Sequence, residues 1–192
     1  MSYWHITQAS RHLARGGVIA YPTESVYGLG CNPWDEQAVG RILKLKRRDP
    51  NKGLIVVAAT IEQLEPLIDL TPEVPVASVM SSWPGPVTWV LPAKHSVPVW
   101  LRGMQGGIAV RVSALPVVQA LCRSIGLLVS SSANPEGYLP AKTAHRVRAY
   151  FGNQLDYILP GPTGGSEAPT EIRHAISGRL LRAGRNDPVL PL

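Results

Sequence analysis

The stretch AYPTESVYGLG, Ala20 to Gly30, continues a short apolar run, Val18-Ile19-Ala20-Tyr21, that reads as a strand halted by Pro22. Five side chains bearing hydroxyl or carboxyl groups crowd that halt: Tyr21, Thr23, Glu24, Ser25 and Tyr27. Two glycines, Gly28 and Gly30, close the stretch. A connecting turn has no use for so much hydrogen-bonding capacity. The mouth of a strand that faces a ligand does, because loops beyond strand ends are where open α/β sheets gather their ligands.

Reading outward, ITQASRHLARGG predicts a first helix with Thr7 as its cap and Gly16-Gly17 as its stop. DEQAVGRILKLKRR predicts a second, capped by Asp35, with an apolar face and basic residues in its last turn. GLIVVAA is a continuous apolar run of strand length, as expected for a strand buried on both faces. TIEQLEPLI predicts a short helix with Thr60 and Gln63 as a capping box, and TPEVPVASVMSSW another with Pro72 near its start. PVTWVLPA, GIAVRVS, LLVSS, DYILP and GRLLRAG read as strands; LPVVQALCRSIG and TAHRVRAYFG read as helices, the latter capped by Thr143. Strands and helices intermix without strict alternation. The class is α/β in the broad sense (α+β), with a twisted mixed sheet and flanking helices.

Two further polar clusters follow predicted strands: SSSAN, Ser130 to Asn134, and GPTGGSEAPT, Gly161 to Thr170. Three such loops together point to a site. A basic cluster, LKLKRRDPNKG, supplies Lys44, Lys46, Arg47, Arg48 and Lys52. Lys44 and Arg47 read as solvated. Lys46 and Arg48 sit two apart at a helix end, where unwinding turns both the same way, and an ammonium beside a forked guanidinium suits a polyphosphate. Arg111 lies inside IAVRV, where periodicity expects an apolar residue; a charge there is either salt-bridged or faces a ligand carboxylate. Arg182 poses the same choice. Glu24 reads as an acid or base, or as an anchor for backbone amides.

The chain has 192 residues, enough for one domain, with 45% hydrophobic residues and a net charge of +6 that fits an anionic ligand or RNA. Its two cysteines, Cys31 and Cys122, lack metal-site spacing and are expected to be reduced thiols of a cytoplasmic protein. There is no GxxxxGK[ST] loop, no GxSxG elbow and no HExxH, which disfavours P-loop, serine-hydrolase and zincin chemistry. The residue types on offer bind and orient better than they attack, as in transfer to or from a phosphoryl group.

In chain order, YPTESVYGLG, the KRR of Lys46 to Arg48 followed by KGLIVV, WPGPVTWVL, AVRV, SSSAN and LLRAG resemble the motifs of the YrdC/TsaC family, across about residues 7–184. The resemblance implies a YrdC-like fold with a basic concave face, residues 1–185 forming that domain and 186–192 a C-terminal tail. It implies an L-threonylcarbamoyladenylate synthase: L-threonine and bicarbonate or CO2 give N-carboxythreonine, whose carboxylate attacks the α-phosphate of ATP, with Mg2+ accompanying the nucleotide and diphosphate leaving. Downstream tRNA threonylcarbamoyl-transfer proteins would then modify the adenosine beside the anticodon. Carried over by motif, Lys46 and Arg48 would be catalytic and ATP-binding. Thr88, Ser132, Asn134 and Arg182 would bind ATP, with Lys52 a phosphate candidate. Thr23, Tyr27, Arg111 and Thr170 would bind threonine. The chain departs from longer relatives in having Asp49 before Pro50, IVVAA where they place a histidine, and no second domain. The alternative reading is a non-catalytic double-stranded RNA-binding or ribosome-maturation factor using the basic face; the sequence lacks the aromatic RNA-binding signature of such modules.

Overall fold

The computed structural model describes residues 2–104 and 106–184; the expected tail at 186–192 lies outside the described residues. Six helices and nine strands are described: α1 (Tyr3–Ala14), β1 (Ile19–Pro22), β2 (Tyr27–Gly30), α2 (Glu36–Lys46), β3 (Ile55–Ala58), α3 (Val76–Ser81), β4 (Val87–Pro92), α4 (Val99–Arg102), β5 (Gly107–Val112), α5 (Pro116–Ile125), β6 (Leu128–Ser132), α6 (Ala144–Phe151), β7 (Tyr157–Ile158), β8 (Glu171–His174) and β9 (Leu180–Arg182). The strands form one sheet in the order β7-β1-β2-β6-β3-β5-β4-β8-β9. Pairings β1/β7, β3/β5 and β4/β8 are parallel and the others antiparallel, so the sheet is mixed, as the element pattern predicts.

Side chains alternate across a strand, and this sheet uses the alternation to bury two cores. On one face Tyr27, Leu29, Val56, Val110 and Val129 pack with Val39 and Ile42 of α2, Val79 of α3, Leu101 of α4 and Phe151 of α6. On the other, Ile19, Tyr21, Val57 and Leu128 pack with Ala9 and Leu13 of α1 and Val118 and Leu121 of α5. Helices α1 and α5 cover only part of that second face. Beyond them it carries Gly28, Ser130, Ser132, Ala109 and Arg111, and there it is hollow.

Several elements begin elsewhere than the sequence predicts. Helix α1 starts five residues earlier, because Ser2 caps it by accepting from the Trp4 amide; the Thr7 hydroxyl instead bonds back to the Tyr3 carbonyl. TIEQLEPLI forms only a 3-10 turn at Glu62–Leu64, and Gln63 makes no capping box: its amide accepts from Ala59 N and donates to Cys122 O, tying the turn to α5. Pro72 precedes α3, which begins after Pro75. Strands β2 and β8 and the short helix α4 had no sequence counterpart. The caps Asp35 and Thr143 and the stop at Gly126 are as expected.

The core holds protons that the unfolded chain would release. Burial pushes the Tyr21 phenol and the Cys31 thiol well up, and the Cys122 thiol up to about 12. In water these groups ionise near pH 8.5 to 10. Their contribution to stability is therefore complete below about pH 8.5 and is lost as pH rises above it. Urea midpoints measured from pH 7 to 11 are expected to fall, and to fall less in Cys122→Ala; a flat profile would contradict the buried-neutral assignment.

Candidate functional site

Helix α2 ends where Arg47 takes a left-handed conformation, with φ 53°, and its amide and that of Arg48 return to the Lys44 and Leu43 carbonyls. This reversal sends Lys46 and Arg48 inward while Lys44 and Arg47 stay exposed. The two inward cations do different things. The Lys46 side chain is only 5% exposed. Its Nζ donates to Ser132 O, to Asn134 O at 2.9 Å, and to Ser132 Oγ and Asn134 Oδ1 at 3.3 Å each. It is the hub of the 130–134 loop and is not among the residues that line the hollow. Burial, and then the Arg48 charge, bring its ammonium down to about 8. Asn134, whose amide also donates to Tyr138 O at 2.7 Å, likewise lies off the cavity wall.

The cavity encloses about 310 Å³. One wall is the opening stretch, Thr23 to Val26 with Gly28; another is Ser130 to Ser132; a third is Arg48, Lys52, Gly53 and Arg102; strand β5 lends Ala109 and Arg111; Pro169, Thr170 and Arg182 form the roof. Thus Thr23, Arg48, Lys52, Arg111, Ser132, Thr170 and Arg182 are brought together. Tyr27 is not among them: strand alternation turns it into the core, where its hydroxyl donates to Gly161 O at 2.6 Å. Thr88 is fully buried, its Oγ1 without a partner; two residues from the cavity-lining Val90, it points to the same side of the sheet but lies below the wall.

Arg111 is 3% exposed and pairs with Glu24 at 3.0 Å, and Glu24 accepts a second bond from the Ser113 hydroxyl at 2.7 Å. Arg111 is thus salt-bridged, and it also lines the cavity, with its Nε unbonded. Glu24 anchors a guanidinium rather than backbone amides. Ser113 escaped the sequence reading, though its place two residues beyond Arg111 on one strand face could have exposed it. Arg48 donates through Nε and Nη2 to Gly53 O, and Arg182 through the same atoms to Thr170 O, at 2.7–3.3 Å. Burial lowers the proton affinity of both, and Arg182 is lowered further by the charges of Arg111 and Arg48. Guanidiniums crowded to the point of mutual repulsion make a strong attraction for an anion.

The loop above the site is stitched to the floor: Gly164 N donates to Thr23 O and Ser166 N to Glu24 O, each at 2.9 Å. Gly164 allows this close approach, since a Cβ would lie 3.1 Å from the Glu24 backbone and force the two stretches of loop slightly apart. Gly164→Val is expected to lift this loop and weaken ligand binding with little change in melting temperature, measurable by calorimetry with the ligands named below. Among the described residues no group of three or more His, Cys, Asp or Glu side chains could hold a metal ion. The cavity's Glu24 is already committed to Arg111 and Ser113.

Hydroxyls and guanidiniums converging beyond the strand ends of a mixed sheet make a hollow whose chemistry suits small anionic ligands. Comparison with known proteins narrows that class. The chain belongs to the Sua5/YciO/YrdC family, whose description reads "Telomere recombination" and whose profile matches residues 11–184. It is 49% identical over 174 residues to a threonylcarbamoyl-AMP synthase of Pseudomonas aeruginosa, covering 91% of this chain and 94% of that one. Its structure resembles that of P. abyssi Sua5 complexed with L-threonine, with a TM-score of 0.87 and 34% identity, across 96% of this chain and 55% of that longer protein. It also resembles E. coli YciO, with a TM-score of 0.81 and 26% identity, across 95% and 90% of the two chains. No described helix is long and apolar enough to cross a membrane.

Proposed function

We propose that this chain is an L-threonylcarbamoyladenylate synthase, forming threonylcarbamoyl-AMP and diphosphate from L-threonine, bicarbonate or CO2, and ATP. The observation that carries the reading is one cavity in which Arg48, Arg111 and Arg182 converge with Thr23, Ser132 and Thr170, in a chain similar over nearly its whole length to a relative of that name.

In this reading Arg111, held by Glu24, binds the threonine carboxylate, with Thr23 and Thr170 beside it. Arg48 and Arg182 face the triphosphate, with Ser132 at the nucleotide. The carbamate oxygen of N-carboxythreonine attacks the α-phosphorus; the bond from that phosphorus to the bridging oxygen of the β-phosphate breaks, and diphosphate leaves with the electron pair. No side chain becomes a nucleophile. The arginines offset charge that moves onto the leaving oxygens, and the stitched loop limits water. Mg2+ enters with ATP as part of the substrate, held by phosphates. Lys46 contributes indirectly, by shaping the loop that carries Ser132 and Asn134. The active unit in this proposal is residues 1–185, in the cytoplasm, passing its product to tRNA threonylcarbamoyl-transfer proteins. A non-catalytic RNA-binding role draws support from net charge alone, and cavity-directed arginines suit a small ligand better than a duplex.

The deciding experiment incubates pure protein with ATP, labelled bicarbonate and single amino acids. Label is expected in an adenylate with threonine and with no other amino acid; label independent of threonine would overturn the proposal. Arg48→Ala is expected to lower diphosphate release at least 10²-fold, in the range for removing one preorganised donor, with the melting temperature nearly unchanged.

A further inference from the structure

Arg102 was not singled out by its sequence context, LRGM, and nothing in the foregoing mechanism uses it. It is the last residue of α4, and it lines the cavity on the same wall as Arg48 and Lys52. The wall is fixed from both sides by Gly53. Arg48 donates to the Gly53 carbonyl, and the α4 backbone packs so closely on Gly53 that a Cβ there would meet the Leu101 and Arg102 carbonyls at 3.0 Å. Leu54 N bonds Leu101 O at 2.9 Å, and Gly103, with φ 64°, lies against Asn51 O. The base of Arg102 is therefore held rigidly beside Arg48.

Its head group is uncommitted. Among the described residues, the Arg102 guanidinium makes no hydrogen bond and no ion pair, and its Nε is buried without a partner. The other cavity arginines are each engaged: Arg48 with Gly53, Arg111 with Glu24, Arg182 with Thr170. A buried guanidinium N–H left unbonded is rare, because the lost hydration is not recovered. A forked donor suits a carboxylate or a phosphate; with the amino acid's carboxylate already given to Arg111, a guanidinium beside a second arginine and a lysine matches the oxygens of a phosphate chain.

We propose that Arg102 is a binding residue for the two terminal phosphates of the nucleotide, and hence for the departing diphosphate. Arg102, Arg48 and Lys52 form the cationic wall that receives them. This rests on the adenylate-forming reading above, and it assigns the diphosphate end of the cavity to α4.

The test is calorimetric titration of the full chain with magnesium diphosphate alone and, separately, with AMP, for wild type, Arg102→Met and Arg102→Lys, alongside threonine-dependent exchange of labelled diphosphate into ATP. In Arg102→Met diphosphate affinity is expected to fall at least tenfold, with AMP affinity within twofold of wild type and KM for ATP raised. Arg102→Lys, which keeps charge but loses the fork, is expected to recover only part of the loss. Equal diphosphate affinity in folded Arg102→Met would overturn the inference. So would equal losses for AMP and diphosphate, or a fall in melting temperature that accounts for both and is absent in a fully active Arg102→Lys. Loss of exchange in the wild type itself would overturn the adenylate reading instead, whereas normal wild-type exchange with an indifferent Arg102→Met sinks only the role of Arg102.

Discussion

Arg111→Met is expected to reduce threonine-dependent diphosphate release by about 10²–10³-fold and to destabilise the fold by about 3–5 kcal/mol, the range for breaking a buried pair. Both effects come from one geometry. The guanidinium is nearly inaccessible and is held 3.0 Å from the Glu24 carboxylate. Removing it leaves Glu24, with a side chain 15% exposed, facing the cavity without its counter-charge. The two effects can be pulled apart. Glu24→Gln combined with Arg111→Met removes the orphaned charge, so the urea midpoint should recover while turnover should not. Recovery of turnover together with stability would mean that Arg111 only holds the fold and never meets substrate.

The second large effect is expected at Lys46. Its four oxygen acceptors come from a single loop. In Lys46→Met the Asn134 carbonyl loses its donor and the Ser132 carbonyl keeps only the Asn134 amide, at a cost of about 1–3 kcal/mol for each group left unsatisfied. Turnover should fall at least about 10²-fold because the loop carrying Ser132 shifts. This differs from what a direct phosphate contact predicts, which is lost turnover with an intact fold. Lys46→Arg should not rescue, since a planar fork does not fit a ring of acceptors shaped around a compact ammonium. The pH dependence follows from the same site. Burial lowers this ammonium to about 8, so its charge and third N–H are present below that pH and lost above it. Turnover should decline as pH rises through about 8. Because the unfolded lysine keeps its proton to about pH 10.4, Lys46 by itself favours folding more as pH rises between these values, opposing the trend set by the buried thiols and phenol. Stability and activity are thus expected to respond to Lys46 ionisation with opposite sign. A turnover profile level to pH 9 would show that the four acceptors hold the ammonium charged there.

Much of the architecture was legible because the signals were local. A proline stop after Tyr21, an acidic cap at Asp35 and a glycine stop at Gly126 fix element ends through short-range hydrogen bonding or backbone geometry. The β2 strand was missed because YGLG has only two bulky side chains; its glycines are there because Tyr21 and the Val129 backbone crowd the space a Cβ would fill at Gly30. Strand β8, EIRH, is polar and half-buried, and only its pairing with β4 and β9 makes it a strand. At the site, Arg111 was legible as a charge out of register. The direction of Lys46 was not: whether an ammonium at a helix end reaches phosphate or backbone depends on where a loop nearly ninety residues later folds. Tyr27 belongs to the same polar stretch yet packs into the core, a placement hidden from a reading by composition because strand alternation sends every second residue to the opposite side.

The sheet joins strands far apart in the chain, β1 with β7 and β4 with β8, and the hollow takes its walls from residues between Thr23 and Arg182. Such non-local pairing is formed slowly, after many loops have closed. No early folding species can therefore own a ligand pocket. A substrate has nothing to grip until the last pairings are made, so threonine or ATP should leave the refolding rate untouched and act wholly by slowing the rate at which the finished molecule comes apart.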